Sequence, residues 1–109
     1  MILFKYYIDI PENFTGVCTV TSINVIYHYK DGKIHNESGP AIISKDGTKI
    51  WCINGYEHRE DGPAVEFASG DKRWHYKNKR YGYDNDFTIK TWIEKVEYLK
   101  REEGLKIFK

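Results

Sequence analysis

A ten-residue phrase recurs after a step of 23 residues in the middle of this 109-residue chain. The first copy spans residues 32–41, the second spans residues 55–64, and both continue to a glycine and a tryptophan. The identities in the first copy are Gly32, His35, Glu37, Gly39, Pro40, Ala41, Gly47, Lys49 and Trp51, and their counterparts are Gly55, His58, Glu60, Gly62, Pro63, Ala64, Gly70, Lys72 and Trp74. A fixed period of this kind predicts stacked structural repeats.

Each copy contains two alternating segments on either side of a turn. In the first copy, residues 41–45 and 49–53 flank Asp46-Gly47, and residues 64–76 repeat this arrangement around Gly70. Asp-Gly between alternating runs favours a tight hairpin turn in which both central residues have positive φ. We therefore predict one β-hairpin per repeat.

The same register extends outward from the two copies. Residues 17–30 align as a degenerate first hairpin, residues 2–10 predict an edge strand, and residues 86–103 change to helical spacing before Gly104, a predicted C-terminal stop. We predict one α+β domain over residues 1–109, an antiparallel β-meander of repeated hairpins with about 6–7 strands and one C-terminal α-helix. Its three parts are residues 1–30, the repeats with the start of a third in 31–82, and the helix in 86–103.

Composition excludes several classes of function. Seventeen basic against sixteen acidic side chains give a formal net charge of +1, so no global field attracts nucleic acid or an anionic membrane. The apolar runs are far below the roughly 20 residues of a membrane span, and no signal peptide is recognisable, which predicts a cytoplasmic protein. Cys18 and Cys52 lack disulfide or metal-ligand spacing and are interpreted as apolar strand residues. Catalytic motifs are missing, so we predict no enzyme activity and no cofactor.

His35 and His58 suggest a metal site because they occupy the same position in the two copies. Equivalent positions two strands apart are separated by about 9–10 Å, whereas two nitrogens on one zinc ion lie within about 4 Å of each other. We therefore predict no metal and interpret both histidines as turn residues that hydrogen-bond local backbone. Ser38 and Asp61 are predicted to hold the turn before each Gly-Pro through backbone hydrogen bonds. The predicted structural positions are His35, Gly39, Pro40, Trp51, His58, Gly62, Pro63 and Trp74.

Aromatic and charged residues are the candidates for recognition. Trp51 and Trp74 are either a stacking platform or, the interpretation that we favour, the apolar face beneath the helix. Residues 71–80 carry five basic side chains against one acidic and interleave them with aromatics, whereas residues 57–66 carry four acidic against one basic. Neighbouring patches of opposite sign suit a protein partner better than a polyanion. The candidate partner-binding residues are Arg59, Glu66, Arg73, Tyr76, Lys79 and Arg80.

The phrase Asn54-Gly55-x-x-His58-Arg59-x-Asp61-Gly62-Pro63-Ala64, followed by Gly70 and Trp74, resembles a repeat in small proteins of tailed phages and giant DNA viruses. It is more distantly similar to the MORN (membrane occupation and recognition nexus) repeat, also a short β-hairpin unit. The resemblance covers residues 31–82, and Asn36 and Ser38 depart from it. The predicted C-terminal helix after the last repeat also resembles the small viral proteins.

The resemblance implies a viral accessory protein that binds a host protein in the host cytoplasm, for instance to inhibit a defence or metabolic enzyme. It assigns no catalytic or binding residue, because the shared positions form turns. One alternative is a protein that binds single-stranded nucleic acid through residues 72–80. A second, implied by the MORN likeness alone, is a lipid or membrane-surface binder. The sequence leaves the oligomeric state and the partner's identity open.

Overall fold

Eleven short strands, two 3-10 turns and one α-helix make up residues 1–107, the part of the chain that the computed structural model describes. The strands are β1 (Ile2–Phe4), β2 (Gly16–Val20), β3 (Val25–Lys30), β4 (Lys33–Ile34), β5 (Ile42–Ser44), β6 (Lys49–Ile50), β7 (Cys52–Ile53), β8 (Tyr56–Glu57), β9 (Val65–Glu66), β10 (Lys72–Tyr76) and β11 (Lys79–Tyr83). The 3-10 turns are Tyr7–Asp9 and Asp84–Asp86, and α1 spans Ile89–Ile107. The predicted α+β meander with a C-terminal helix is confirmed.

Nine of the described strands form one sheet whose order follows the chain. The order is β1-β2-β3-β5-β6-β9-β10-β11, β4 pairs with β3, and β7 and β8 form a separate two-stranded ladder. The strand count exceeds the predicted 6–7 for two reasons. Each repeat adds a short third arm after its hairpin, and the run 49–53 is divided at Trp51, whose N–H donates to Ala64 O while its carbonyl accepts from His58 N.

Two kinds of turn connect the strands. We predicted the tight turn with positive φ at both central residues at Asp46-Gly47, and the structure has this turn type at other positions. The two-residue turns with positive φ at both positions are Asp31-Gly32, Asn54-Gly55 and Lys77-Asn78, which lead into β4, β8 and β11. At the Asp46-Gly47 turn, only Gly47 has positive φ, at 98°, and its N–H donates to Ser44 O at 3.0 Å. That connection is a three-residue loop with a glycine bulge, which needs one left-handed residue instead of two.

The N-terminal segment forms the edge that the sequence predicted, but with different geometry. β1 is only three residues long and pairs with β2 in parallel, and the chain then turns at Tyr7–Asp9. Phe4 and Tyr29 both contact the Phe14 ring, with centroids at 5.6 and 5.9 Å, so Phe14 packs against side chains of β1 and β3. Cys18 and Cys52 are buried free thiols, as the sequence predicted.

The C-terminal helix starts later and runs further than predicted. Residues 84–86 form a 3-10 turn, and Thr88 and Thr91 exchange backbone-to-side-chain hydrogen bonds at 2.8 and 3.1 Å, which cap the first turn of α1. The predicted stop at Gly104 is wrong, because the helix continues through it to Ile107. A glycine ends a helix when it adopts positive φ, and Gly104 keeps helical backbone geometry instead. No helix among residues 1–107 has the length and apolar character that crossing a membrane requires.

A buried hydrophobic cluster lies between α1 and the last hairpin. Trp92 and Val96 of the helix pack on Trp74 and Tyr76 of β10, and the surrounding aromatic and aliphatic side chains are Tyr81, Phe87 and Leu99. The Trp74 and Trp92 rings are 5.6 Å apart, and both are almost fully buried. For Trp74, the interpretation as the apolar face beneath the helix is confirmed.

Candidate functional site

The segments 35–41 and 58–64, called here the first and second repeat loops, are built in the same way. In the first, Asn36 Nδ2 donates to Pro40 O, and in the second Arg59 Nη1 donates to Pro63 O, both at 3.1 Å. These donors occupy equivalent positions 23 residues apart. The prediction that Ser38 and Asp61 hold the turns is wrong, because the longer side chains at positions 36 and 59 span the loop.

Each repeat histidine connects its repeat to the next one. His35 Nδ1 accepts from Asn54 N–H and His58 Nδ1 accepts from Lys77 N–H, both at 2.9 Å. The donors lie 19 residues further along the chain, in the two-residue turn of the following repeat, so the prediction of a local backbone bond is wrong. Thr15 Oγ1 accepts from Asp31 N–H at 2.8 Å in the degenerate repeat. The bond is therefore a repeat-to-repeat tie.

We expect His35→Ala to lower the free energy of unfolding by about 1–3 kcal/mol, because it leaves the Asn54 N–H without its acceptor. His35 is buried, so water compensates poorly. His35→Asn, which restores a nearby acceptor oxygen, should recover part of the loss in urea denaturation. Equal losses for the alanine and asparagine variants would contradict the role of Nδ1 as an acceptor.

Arg59 is held within the second repeat loop and the sheet. Its guanidinium carbon lies 3.9 Å from the centre of the Trp51 ring, and its nitrogens pair with Asp61 at 3.0 Å and Glu66 at 3.4 Å. Trp92 Nε1 donates to the Arg59 carbonyl at 2.8 Å, which joins the loop to α1. Arg59 was predicted to contact a partner, but the structure gives its side chain an internal role.

Glu60 makes a second connection between this loop and α1. Lys100 Nζ and His58 Nε2 both hydrogen-bond to its carboxylate. Burial raises the pKa of Glu60, but the bonds from Lys100 and His58 outweigh burial and hold this pKa below its ordinary value. The carboxylate is thus favoured in its charged form at the end of the second repeat loop.

The four side chains of Phe67, Arg73, Arg80 and Tyr83, called here the Arg–Tyr face, form a stacked array. The guanidinium carbons of Arg80 and Arg73 lie 4.2 and 4.6 Å from the centre of the Tyr83 ring, and Arg73 also lies 5.1 Å from Phe67. Arg73 and Tyr83 are opposite each other across β10 and β11, on the side of the sheet away from Trp74. Phe67 and Tyr83 are about 40% exposed, which leaves the array open to solvent.

Acidic residues surround the Arg–Tyr face. Arg73 Nη1 lies 3.5 Å from Asp84 Oδ1, and beside it His75 Nε2 lies 3.3 Å from Glu57 Oε2. Burial holds the pKa of His75 below its ordinary value, although the Glu57 charge opposes this shift. The face is therefore a mixed surface of cations, aromatic rings and carboxylates.

The predicted partner-binding residues separate into two groups. Arg73 and Arg80 come together on one face. Glu66 is half-buried and pairs with Arg59, and Lys79 is exposed at the start of β11 over the Tyr81 ring. Tyr76 is corrected: it is 4% exposed, belongs to the core, and donates through its hydroxyl to Glu103. Tyr83 was not predicted as a site residue. The available signal was a two-residue turn at Lys77-Asn78, which brings Tyr83 opposite Arg73 once the bulge in the β10–β11 pair is counted.

Comparison with protein-family models, with curated proteins and with solved structures finds no match for this chain.

Proposed function

We propose that this chain is a non-enzymatic protein-binding module and that the Arg–Tyr face is its contact surface. The observation that supports this most is the exposed stack of two guanidinium groups on Tyr83. Arginine and tyrosine are enriched in protein interfaces and dominate their binding energy. Because the rings already hold the guanidinium groups, binding orders fewer side chains and costs less conformational entropy.

The partner should present carboxylates to Arg73 and Arg80 and basic groups to the surrounding Asp84 and Glu57. Such complementarity of alternating charge favours one folded protein over others and sets its orientation. The resemblance of the repeat phrase to viral proteins supports a host protein as the partner, bound in the host cytoplasm, and inhibition of that protein as the outcome.

Binding of single-stranded nucleic acid is the second candidate function. The same stack supports it, since bases stack on tyrosine and arginine while the guanidinium groups meet phosphates. Asp84 and Glu57 oppose it, because they repel a polyanion that follows the face. Phosphate-led binding must weaken steeply as salt rises, so a salt titration with an oligonucleotide separates this candidate from the first.

The test changes the charge of Arg80 in the face and of the neighbouring Lys79 without touching the core. Lys79→Glu with Arg80→Glu is expected to leave the melting temperature nearly unchanged, since both side chains are exposed, and to weaken partner binding at least about tenfold. The readout is affinity capture from host lysate at physiological salt, followed by titration of the recovered protein.

The matched control is Lys90→Glu with Arg101→Glu, which makes the same charge change on the exposed surface of α1. It should retain the partner. If both double variants lose binding equally, net charge and not the Arg–Tyr face explains recognition. Capture that survives the Lys79 and Arg80 changes would place the contact surface elsewhere.

A further inference from the structure

The two repeat loops form the walls of a groove on another part of the surface. Its volume is about 770 Å³, and Trp51, Ile53 and Pro40 provide its apolar lining. Volumes of about 300–1,000 Å³ are typical of pockets that bind a drug-sized small molecule. The groove is therefore large enough for a side chain together with part of the peptide that carries it.

Trp51 keeps an open surface that its counterpart lacks. Trp74, at the equivalent position of the next repeat, has Phe87 and Trp92 packed against its ring with centroids at 5.7 and 5.6 Å. Trp51 instead has the flat guanidinium of Arg59 over its ring and remains half-buried in the groove lining. The chain itself thus shows that this indole accepts a guanidinium group.

The charged groups lining the groove are three carboxylates and one guanidinium, which belong to Glu37, Glu60, Asp61 and Arg59. The Glu37 and Asp61 side chains are 76% and 80% exposed, so both can reach a ligand. The Glu37 carboxylate lies 3.3 Å from His35 Nε2, and the other ring nitrogen of His35, Nδ1, accepts the Asn54 N–H. The Arg59 guanidinium forms ion pairs with both Asp61 and Glu66.

We propose that this groove binds an arginine side chain of an extended basic segment in a partner protein. The guanidinium pairs with the carboxylates of Glu37 and Asp61, and the aliphatic stem packs on Trp51 and Pro40. Arginine fits better than lysine, because a planar guanidinium donates two parallel hydrogen bonds to a carboxylate, whereas the ammonium group of lysine acts as a point charge. This site is separate from the Arg–Tyr face and has the opposite charge preference.

The experiment titrates the intact protein with the peptide acetyl-Gly-Arg-Gly-Arg-Gly-amide at physiological salt and follows the three tryptophan indole N–H signals by NMR. The Trp51 signal should shift in a saturable manner, while those of the buried Trp74 and Trp92 move little. A peptide with citrulline in place of arginine keeps the shape without the charge and should bind at least about tenfold more weakly.

Two variants with the same loss of charge locate the site. Glu37→Gln should weaken binding of the arginine peptide at least about fivefold, whereas Glu94→Gln, on the exposed surface of α1, should leave it unchanged. Asp61→Asn serves as a second groove variant, and thermal melting confirms that each variant is folded. The Lys79→Glu, Arg80→Glu double variant should bind the peptide with unchanged affinity. The test of the groove is therefore independent of whether the Arg–Tyr face binds a partner.

A Trp51 signal that does not respond to the arginine peptide would overturn the proposal. So would equal affinity for the citrulline peptide, because the groove would then select shape without charge. Equal weakening by Glu37→Gln and Glu94→Gln would also overturn it, since only the overall charge would matter.

Discussion

Trp92→Ala is expected to lower the free energy of unfolding by about 3–5 kcal/mol. The Trp92 side chain is fully buried, with ring centroids 5.0 Å from Phe87 and 5.6 Å from Trp74. Its indole N–H also donates to Arg59 O at 2.8 Å. Truncation removes the apolar packing, leaves a cavity and breaks one of the two ties between α1 and the second repeat loop, while the bond from Lys100 to Glu60 remains.

Urea denaturation followed by circular dichroism measures this loss. Ile93→Ala is the matched control, because Ile93 is the next residue of α1 but is 39% exposed, and it should cost less than about 1 kcal/mol. Similar losses for the two variants would mean that α1 does not cover Trp74 in solution. A Trp92→Phe variant should lie between the two, since it keeps a ring but loses the N–H donor.

Gly62→Ala is expected to destabilise the fold by about 1–3 kcal/mol because it overfills the second repeat loop. A Cβ at Gly62 would lie 2.7 Å from the guanidinium carbon of Arg59. A free arginine would move aside at little cost, but this one is held by Trp51, Pro63 O and two carboxylates. Gly62→Val should cost more, since its branched side chain occupies more of the same space.

The equivalent glycine of the first repeat loop provides the control. A Cβ at Gly39 would meet Asn36 Nδ2 at 3.7 Å, an ordinary contact, so Gly39→Ala should cost less than Gly62→Ala. Arg59→Asn places in the second loop the residue that the first loop has at this position, and should remove most of the extra cost of Gly62→Ala. A double-mutant cycle in urea measures this coupling. Equal costs of Gly62→Ala with and without Arg59 would contradict the proposed clash.

Elements whose signals lie within a few neighbouring residues were predictable. The hairpins β2–β3, β5–β6 and β9–β10 follow from alternation around Asn24, Gly47 and Gly70, because strand pairing across a short turn depends on adjacent residues. The turn types were less accessible. Asp46-Gly47 and Asn54-Gly55 are both dipeptides that favour a two-residue hairpin turn. Only Asn54-Gly55 forms one, because the paired residues Ile53 and Tyr56 are separated by those two residues alone.

The surfaces were harder to predict than the strands. Arg73 and Arg80 were identified as candidates, but their common ring, Tyr83, depends on a register shift between Trp74 and His75 in the β10–β11 pair. Glu37 was assigned no recognition role, and its importance for the groove arises only when the second repeat loop lies beside the first. Neither arrangement is visible in spacing, because each joins residues through sheet geometry.

The 23-residue period alone determined that Trp51 and Trp74 occupy equivalent places in equivalent units, since glycine, proline and turn residues encode local backbone geometry. Only the tertiary structure decided their different surroundings. The helix packs on Trp74 and places Trp92 against it, whereas Trp51 receives Arg59 and an open groove. Two residues in similar local sequence thus differ in exposure, because burial depends on distant parts of the chain that reach one repeat and not the other.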